Sequence, residues 1–183
     1  MATIIRANTY LQRLVGAAAL DAAIYEEVEA DGRATFQAAA TVLLSSVAAG
    51  IGAVGFGGNV VANVAFVSVV ALLAWAAWAL VIFEVGVRLM PEPETQSNVG
   101  ELLRTIGFAA TPGFLRVFGV LPGVTIPVFA VTAIWMLAAM VVAVRQALDY
   151  RSTARALAVC GIGWALAVTI ALGLGLLFGP AVS

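Results

Sequence analysis

The stretch that decides the fold of this chain is Glu101–Arg155, ELLRTIGFAATPGFLRVFGVLPGVTIPVFAVTAIWMLAAMVVAVRQALDYRSTAR. It opens with an apolar segment that is interrupted at Thr111-Pro112 and again at Pro122, and it continues into an unbroken apolar helix that ends in arginines. Proline removes a backbone hydrogen bond and clashes with the preceding turn, so the first segment is predicted to be a broken helix. Whether this segment crosses the bilayer determines the sidedness of everything after it.

The composition identifies the class of protein. The 183 residues are 63% hydrophobic and only 10% charged, whereas soluble domains are roughly 45–50% apolar and about 25% charged. Several apolar runs reach the roughly 20 residues that a transmembrane helix needs. The sequence therefore predicts an all-α fold, a polytopic membrane helix bundle.

The apolar runs predict five transmembrane segments, at about residues 36–56, 60–88, 99–121, 125–148 and 153–178, the third of them broken at Thr111-Pro112. Residues 1–35 are the one sizeable polar stretch before them. Apolar residues recur there at helical spacing beside arginines and carboxylates, as in amphipathic helices at a membrane interface. We therefore expect a cytoplasmic or interfacial N-terminal segment, 1–35, and a five-helix membrane domain, 36–183.

The arginines predict the orientation of the bundle. If all five segments cross, eight of the nine arginines lie on one side and only Arg116 lies towards the other. Because arginine is enriched in cytoplasmic loops, this pattern predicts a cytoplasmic N-terminus and an external C-terminus. A re-entrant third segment would instead export the cluster between Arg145 and Arg155, which makes five crossings the better interpretation.

The residue types narrow the chemistry. The chain has no histidine, the commonest general acid–base group and metal ligand, and no phosphate-binding loop or nucleophile elbow. Cys160 lies within an apolar run and is expected to be a packing residue. We therefore expect no catalytic site, no cofactor and no metal. The net charge of −1 argues against a nucleic-acid partner.

The candidate functional residues are charged side chains at the predicted cytoplasmic ends of the helices. One hypothesis is a ring of interhelical salt bridges and lipid-headgroup contacts that fixes the register of the bundle; the other is a docking surface for a membrane complex or anionic lipid. Asp149, between Arg145 and Arg151, is expected to clamp the turn between the last two helices. The full set is Glu84, Arg88, Glu101, Arg104, Arg145, Asp149, Arg151 and Arg155.

A series of short motifs between residues 102 and 156 carries a resemblance to a known family. In chain order they are Leu102-Leu103-Arg104, Gly107, Thr111-Pro112, Leu121-Pro122, Trp135, Val144-Arg145-Gln146-Ala147-Leu148 and Thr153-Ala154-Arg155-Ala156. With these motifs in this order, about the last two thirds of the chain resembles the bacterial branch of the Yip1 family. The resemblance implies a five-helix membrane domain with a cytoplasmic N-terminus. Eukaryotic relatives act in vesicle traffic by binding Rab GTPases and shaping membranes, but this chain has a short N-terminal region without their aspartate-leucine-tyrosine-glycine-proline element, so Rab binding is not carried over.

These observations favour a non-enzymatic membrane protein that acts through membrane lipids, a membrane-protein complex or its own oligomer, in an accessory, scaffold or membrane-organising role. The alternative is a small transporter or channel that uses the proline-broken third segment, because discontinuous helices place free carbonyls and helix ends at midplane sites. A lipid-modifying enzyme ranks third, since the chain lacks an evident nucleophile and base.

Overall fold

The computed structural model describes residues 8–56 and 60–178, and every regular element within them is helical. The predicted N-terminal stretch 1–7, the loop at 57–59 and the C-terminus at 179–183 lie outside the described residues. A 3-10 turn (Ala53–Phe56), a π-helical turn (Glu84–Leu89) and a 3-10 helix (Thr111–Val120) complete the element order. The α-helices are α1 (Tyr10–Ala18), α2 (Ala22–Ala30), α3 (Ala34–Gly52), α4 (Val60–Phe83), α5 (Val99–Phe108), α6 (Thr125–Ala147) and α7 (Thr153–Phe178).

Four stretches among the described residues are long and apolar enough to cross a membrane: Ala34–Gly52, Val64–Leu89, Thr125–Ala147 and Thr153–Ile170. The predicted all-helical class and the membrane character are therefore confirmed. The region 99–121 is not one of the four, because it consists of two short helices. A fifth crossing stays a prediction.

Helix α1 is amphipathic and lies against the bundle. A capping box between Thr9 and Gln12 starts it, which fixes two backbone donors at its first turn. Leu14 is buried, whereas Leu11 on the other side is 72% exposed. The end of the helix is fixed by Trp135 of α6, whose Nε1 donates to the Ala18 carbonyl at 2.7 Å. The N-terminal segment is thus packed against the membrane helices.

A capping box and a proline determine the local structure of the region after α4. Asn98 and Glu101 form a capping box that starts α5. The helix ends at Phe108, and the Thr111 hydroxyl donates to the Phe108 carbonyl at 2.6 Å, so this carbonyl at the end of the helix finds a partner inside the protein. The 3-10 helix follows, with Pro112 in its first turn. Pro122 is exposed in the turn before α6.

The α5 and 3-10 segments run alongside α3 in the same direction. Small residues mark the contact: a Cβ added to Gly107 would lie 2.6 Å from Ala38, one on Gly113 would meet the Ser45 hydroxyl, and one on Gly119 would lie 3.1 Å from the Gly52 carbonyl. Glycines at such crossings let two backbones approach closely. The 107–119 stretch therefore follows α3 from near its start to its end.

Two buried clusters hold the bundle together. One joins α4, α5, α6 and α7 around residues such as Ile82, Leu102 and Leu148. The other joins α1, α2, α3, α5 and α6 around residues such as Tyr25 and Phe108. Large apolar side chains on α4, α6 and α7 remain exposed, including Phe66 and Ile134. In a membrane helix bundle such side chains face lipid, where apolar exposure carries no penalty.

Candidate functional site

The eight predicted charged residues all lie at one end of the bundle. The end of α4, the start of α5, the end of α6 and the start of α7 meet there, and α2 packs beside them. We call this region the charged end. Its side chains form separate groups with different partners instead of one continuous ring of salt bridges.

The first group ties the loop after α4 to the turn between α6 and α7. Glu92 forms a salt bridge with the Nε of Arg155 at 3.1 Å and accepts a hydrogen bond from the backbone N–H of Arg151 at 2.9 Å. Glu94 pairs with the Arg151 guanidinium at 2.5 Å. Neither glutamate belongs to the predicted set, because a proline-rich loop gives no periodic signal that would place its side chains. The Glu92 pair is the more buried of the two.

The turn between α6 and α7 is a Schellman motif. Asp149 has φ 53°, the left-handed conformation that ends many helices. The Asp149 N–H donates to the backbone carbonyl of Gln146 at 2.9 Å. The Tyr150 N–H donates to the backbone carbonyl of Arg145 at 2.9 Å. Asp149 forms no salt bridge with Arg145 or Arg151 in the part of the chain that the structure describes. Its role in the turn is conformational.

Tyr150 is the side chain that holds this turn to α4. Its ring is 3% exposed, and its hydroxyl lies 2.9 Å from the Gly86 carbonyl and 2.8 Å from the Met90 carbonyl. Burial raises the pKa of Tyr150 to about 12, so the hydroxyl keeps its proton and donates at neutral pH. The sequence signal that could have found it is an aromatic residue placed among charged residues in a tight turn.

Arg104 joins α5 to α2. Its Nε donates to the carbonyls of Val28 at 3.1 Å and Glu29 at 2.9 Å, near the end of α2. Cations are favourable at this end of a helix because the last carbonyls carry partial negative charge. Glu101 serves the capping box of α5. The sequence did not indicate the partners of either residue.

Glu84 and Arg88 form a local pair on the π-helical turn. Their side chains approach to 3.0 Å and are 52% and 66% exposed. Arg88 also lies over the ring of Phe83, 5.9 Å from its centroid. An exposed pair of this kind contributes about 0–1 kcal/mol, so it leaves both charges available to other molecules.

A polar cleft of about 320 Å³ opens between α2 and the turn after α6. Gln146 donates across it to Glu26 at 2.7 Å. Burial, together with the negative charges of Asp149 and Glu101, raises the pKa of the nearby Glu29 carboxyl to about 7. The cleft is lined by Glu26, Arg145, Gln146, Asp149, Tyr150 and Arg151.

A buried ion cluster among the N-terminal helices was missed by the sequence analysis. Arg13, 3% exposed, pairs with Glu27 at 2.9 Å and Asp31 at 2.8 Å, and donates to Gln37 at 2.8 Å. The Arg13 guanidinium holds the pKa of Asp31 below its ordinary value. The sequence signal that could have revealed this cluster is the spacing of Glu27 and Asp31, which are four residues apart at the end of α2.

The comparison with protein families agrees with this architecture. A family model described as the Yip1 domain matches residues 21–175, which is most of the chain. No curated protein and no solved structure matches it. The matched region includes the four apolar helices and all the residues of the charged end described above. The chain is therefore a membrane protein with several apolar helices, and it belongs to the Yip1 domain family.

Proposed function

We propose that this protein is a non-enzymatic accessory or scaffold protein of the inner membrane, which acts by binding membrane partners, other copies of itself or lipid through its charged end. The observation that carries the proposal is the polar cleft at that end. It presents carboxylates and guanidinium groups within one concave surface that the fold itself holds in place. Complementary charge of this kind gives an interface specificity and a fast association rate.

The weak internal pairing of these charges supports a docking role. Arg151 is 79% exposed although it pairs with Glu94, and Asp149 is exposed as well. Exchange of such solvent-exposed pairs for contacts with a partner loses little free energy, because each is worth about 0–1 kcal/mol. The absence of histidine from the sequence adds to the case against acid–base catalysis.

We further propose five crossings, with the third made by α5 and the 3-10 helix together. Ten α-helical residues and ten 3-10 residues extend about 15 Å and about 20 Å, which together exceed the roughly 30 Å of a bilayer core. The parallel course beside α3 supports this topology, because a segment that follows a spanning helix from near its start to its end covers a similar depth. The charged end is then cytoplasmic, as are the N-terminal helices.

Reporter fusions test the topology. Fusions after Gly58, Gly123 and Ser183 are expected to report an external location, and fusions after Thr95 and Arg151 a cytoplasmic one. A cytoplasmic signal from the fusion after Ser183 would overturn the five-crossing topology, because it requires an even number of crossings.

Purification from native membranes tests the docking role. The double variant Asp149→Asn, Arg151→Gln removes two charges from the cleft, and asparagine tolerates the left-handed conformation at residue 149. We expect it to lose a stoichiometric partner, or the oligomer, that the unmodified protein retains. The matched control is Glu84→Gln, Arg88→Gln, which removes an exposed pair outside the cleft. Equal retention by both double variants would contradict the proposal.

A small transporter or channel is the second candidate. Arg116 of the 3-10 helix lines a cavity that α3, α4 and α6 also line. Discontinuous helices line the substrate sites of many transporters in a similar way. Flux through proteoliposomes that falls in a Pro112→Ala variant of normal folding would favour this candidate. Absence of flux from well-folded protein, with partner binding intact, would favour the scaffold role.

A further inference from the structure

A partly open cavity lies in the membrane part of the bundle, away from the charged end. It has a volume of about 320 Å³ and is enclosed by α3, α4, α6 and the segment from α5 to the 3-10 helix. Most of its wall is apolar, and one cationic side chain, Arg116, reaches it. The wall also includes Ser46, Ala71, Trp75 and Trp78.

Arg116 is held at depth within the bundle. Its Nε donates to the Thr132 hydroxyl at 3.2 Å, and its guanidinium lies 5.4 Å from the centroid of the Phe129 ring. Thr132 is in the second turn of α6, about 10 Å along the helix from Thr125. These contacts orient the guanidinium, but both partners are uncharged.

Arg116 has no acidic side chain in its half of the molecule. The ten aspartates and glutamates of the whole sequence fall in residues 21–31 and 84–101 and at Asp149. These positions belong to α2 and the charged end. A guanidinium at membrane depth is costly unless a negative group or polar partners compensate it. The Thr132 hydroxyl and the Phe129 ring compensate this charge in part, and an anion from outside the chain would be its first negatively charged partner.

A second side chain of the cavity wall, Trp78, has a polar atom without a hydrogen-bond partner among the described residues. The Nε1 of Trp78 is buried and has no hydrogen-bond acceptor among the described residues. Ser46 adds a hydroxyl on the α3 side, which donates to the Leu43 carbonyl at 2.8 Å and contacts Ser68 at 3.0 Å. An orphaned buried donor is costly unless a ligand or water accepts from it. The wall of the cavity thus includes a cationic side chain, a serine hydroxyl and a buried indole within an otherwise apolar surface.

From this combination we infer that the cavity binds an anionic membrane lipid, with its phosphate or carboxylate at Arg116 and part of one chain along the apolar wall. A single guanidinium can form two parallel hydrogen bonds to such a head group. The apolar wall fits a chain better than it fits a fully hydrated ion. The volume is at the lower end of the roughly 300–1,000 Å³ of small-molecule sites, which suits the head group and the adjoining chain. This site is separate from the docking surface of the charged end.

The test measures lipid retained by the purified protein, by native mass spectrometry after exchange into detergent with defined lipids. The probes are phosphatidylglycerol, phosphatidylcholine with the same chains, and inorganic phosphate alone. We expect at least about a tenfold preference for phosphatidylglycerol over phosphatidylcholine, which Arg116→Gln abolishes and Arg116→Lys largely keeps. Arg33→Gln, which removes an exposed arginine just before α3 and lies outside both the cavity and the charged end, is the matched control and should keep the preference.

A second variant covers the case in which Arg116→Gln does not fold. Ala71→Leu fills the cavity from α4 and leaves Arg116 in place, so it should also lower phosphatidylglycerol retention at least about tenfold. Retained preference in both Arg116→Gln and Ala71→Leu would overturn the lipid site. Inorganic phosphate bound as tightly as phosphatidylglycerol would also overturn it, because the source of the anion would then be solution. Loss of partner binding at the charged end would leave these results unaffected.

Discussion

The contact between Gly107 and Ala38 offers the sharpest test of how α3 packs against the α5 and 3-10 segments. An alanine at position 107 would place its Cβ 2.6 Å from the Ala38 Cβ and 3.1 Å from the Ala38 Cα and carbonyl oxygen. None of these atoms belongs to the flexible end of a side chain, so the two helices themselves would have to separate.

The expected size of the effect follows from two opposing terms. Overpacking in a close-packed interior typically costs about 1–3 kcal/mol, while replacing glycine by alanine within a helix returns up to about 1 kcal/mol. We expect Gly107→Ala to lower the free energy of unfolding by about 1–2 kcal/mol. The matched control is Gly161→Ala on α7, where an added Cβ meets nothing within 4 Å. That variant should be neutral or slightly more stable.

The assay is reversible unfolding in mixed micelles, with the free energy of unfolding compared among the variants. A third variant, Ala38→Gly in the Gly107→Ala background, removes the methyl group that the new Cβ would meet. The two changes should therefore compensate each other, with a coupling energy of about 1 kcal/mol or more. Equal effects of Gly107→Ala and Gly161→Ala, or additive behaviour of the double variant, would refute the close parallel packing of α3 and α5.

Three further predictions concern polar groups outside the membrane segments. Arg13→Ala should lower the free energy of unfolding by about 2–3 kcal/mol, because it leaves two carboxylates unpaired. The control Arg151→Ala, at the surface, should lower it by less than about 1 kcal/mol. Similar losses in the two variants would contradict this prediction. Glu29 has a pKa raised from 4.5 to about 7, so the folded protein binds the extra proton and its stability falls as the pH rises from about 4.5 to 7. Glu29→Gln should therefore make the free energy of unfolding less dependent on pH. Above pH 7 this variant should be more stable than the unmodified protein by about 1–2 kcal/mol, after allowance for the partial exposure of the carboxyl. An unchanged slope in a pH series of unfolding curves would count against this prediction. Tyr150→Phe should lower the melting temperature through a loss of about 1–2 kcal/mol, and no change would mean that its hydroxyl does not hold the turn to α4.

The local features of this fold could be read from the sequence because short stretches of chain determine them. Composition and run length predicted a helical membrane protein, and four of the predicted segments coincide closely with the apolar helices. The signals at Asn98, with Glu101 three residues later, and at Pro112 act within one turn of chain. In the structure, α5 starts after the Asn98–Glu101 capping box, and a 3-10 helix runs through residue 112.

The partners of the charged residues could not be read in this way. Arg104 lies on α5, but its acceptors lie on α2, 75 and 76 residues away in the sequence. Tyr150, and not the charge of Asp149, binds the last turn to α4. Such contacts depend on which helices become neighbours, and helical periodicity carries no information about that choice.

The sequence alone determined that this chain is a helical membrane protein whose acidic residues and arginines lie outside the apolar segments or near their ends. Hydrophobicity and charge are properties of each residue, and the bilayer sorts them without reference to the rest of the fold. Only the tertiary structure decided that the α5 and 3-10 segments lie parallel to α3 and that Arg116 faces a shared cavity. The physical reason is that close packing depends on shape complementarity between surfaces far apart in the chain, which exists only once the helices are assembled.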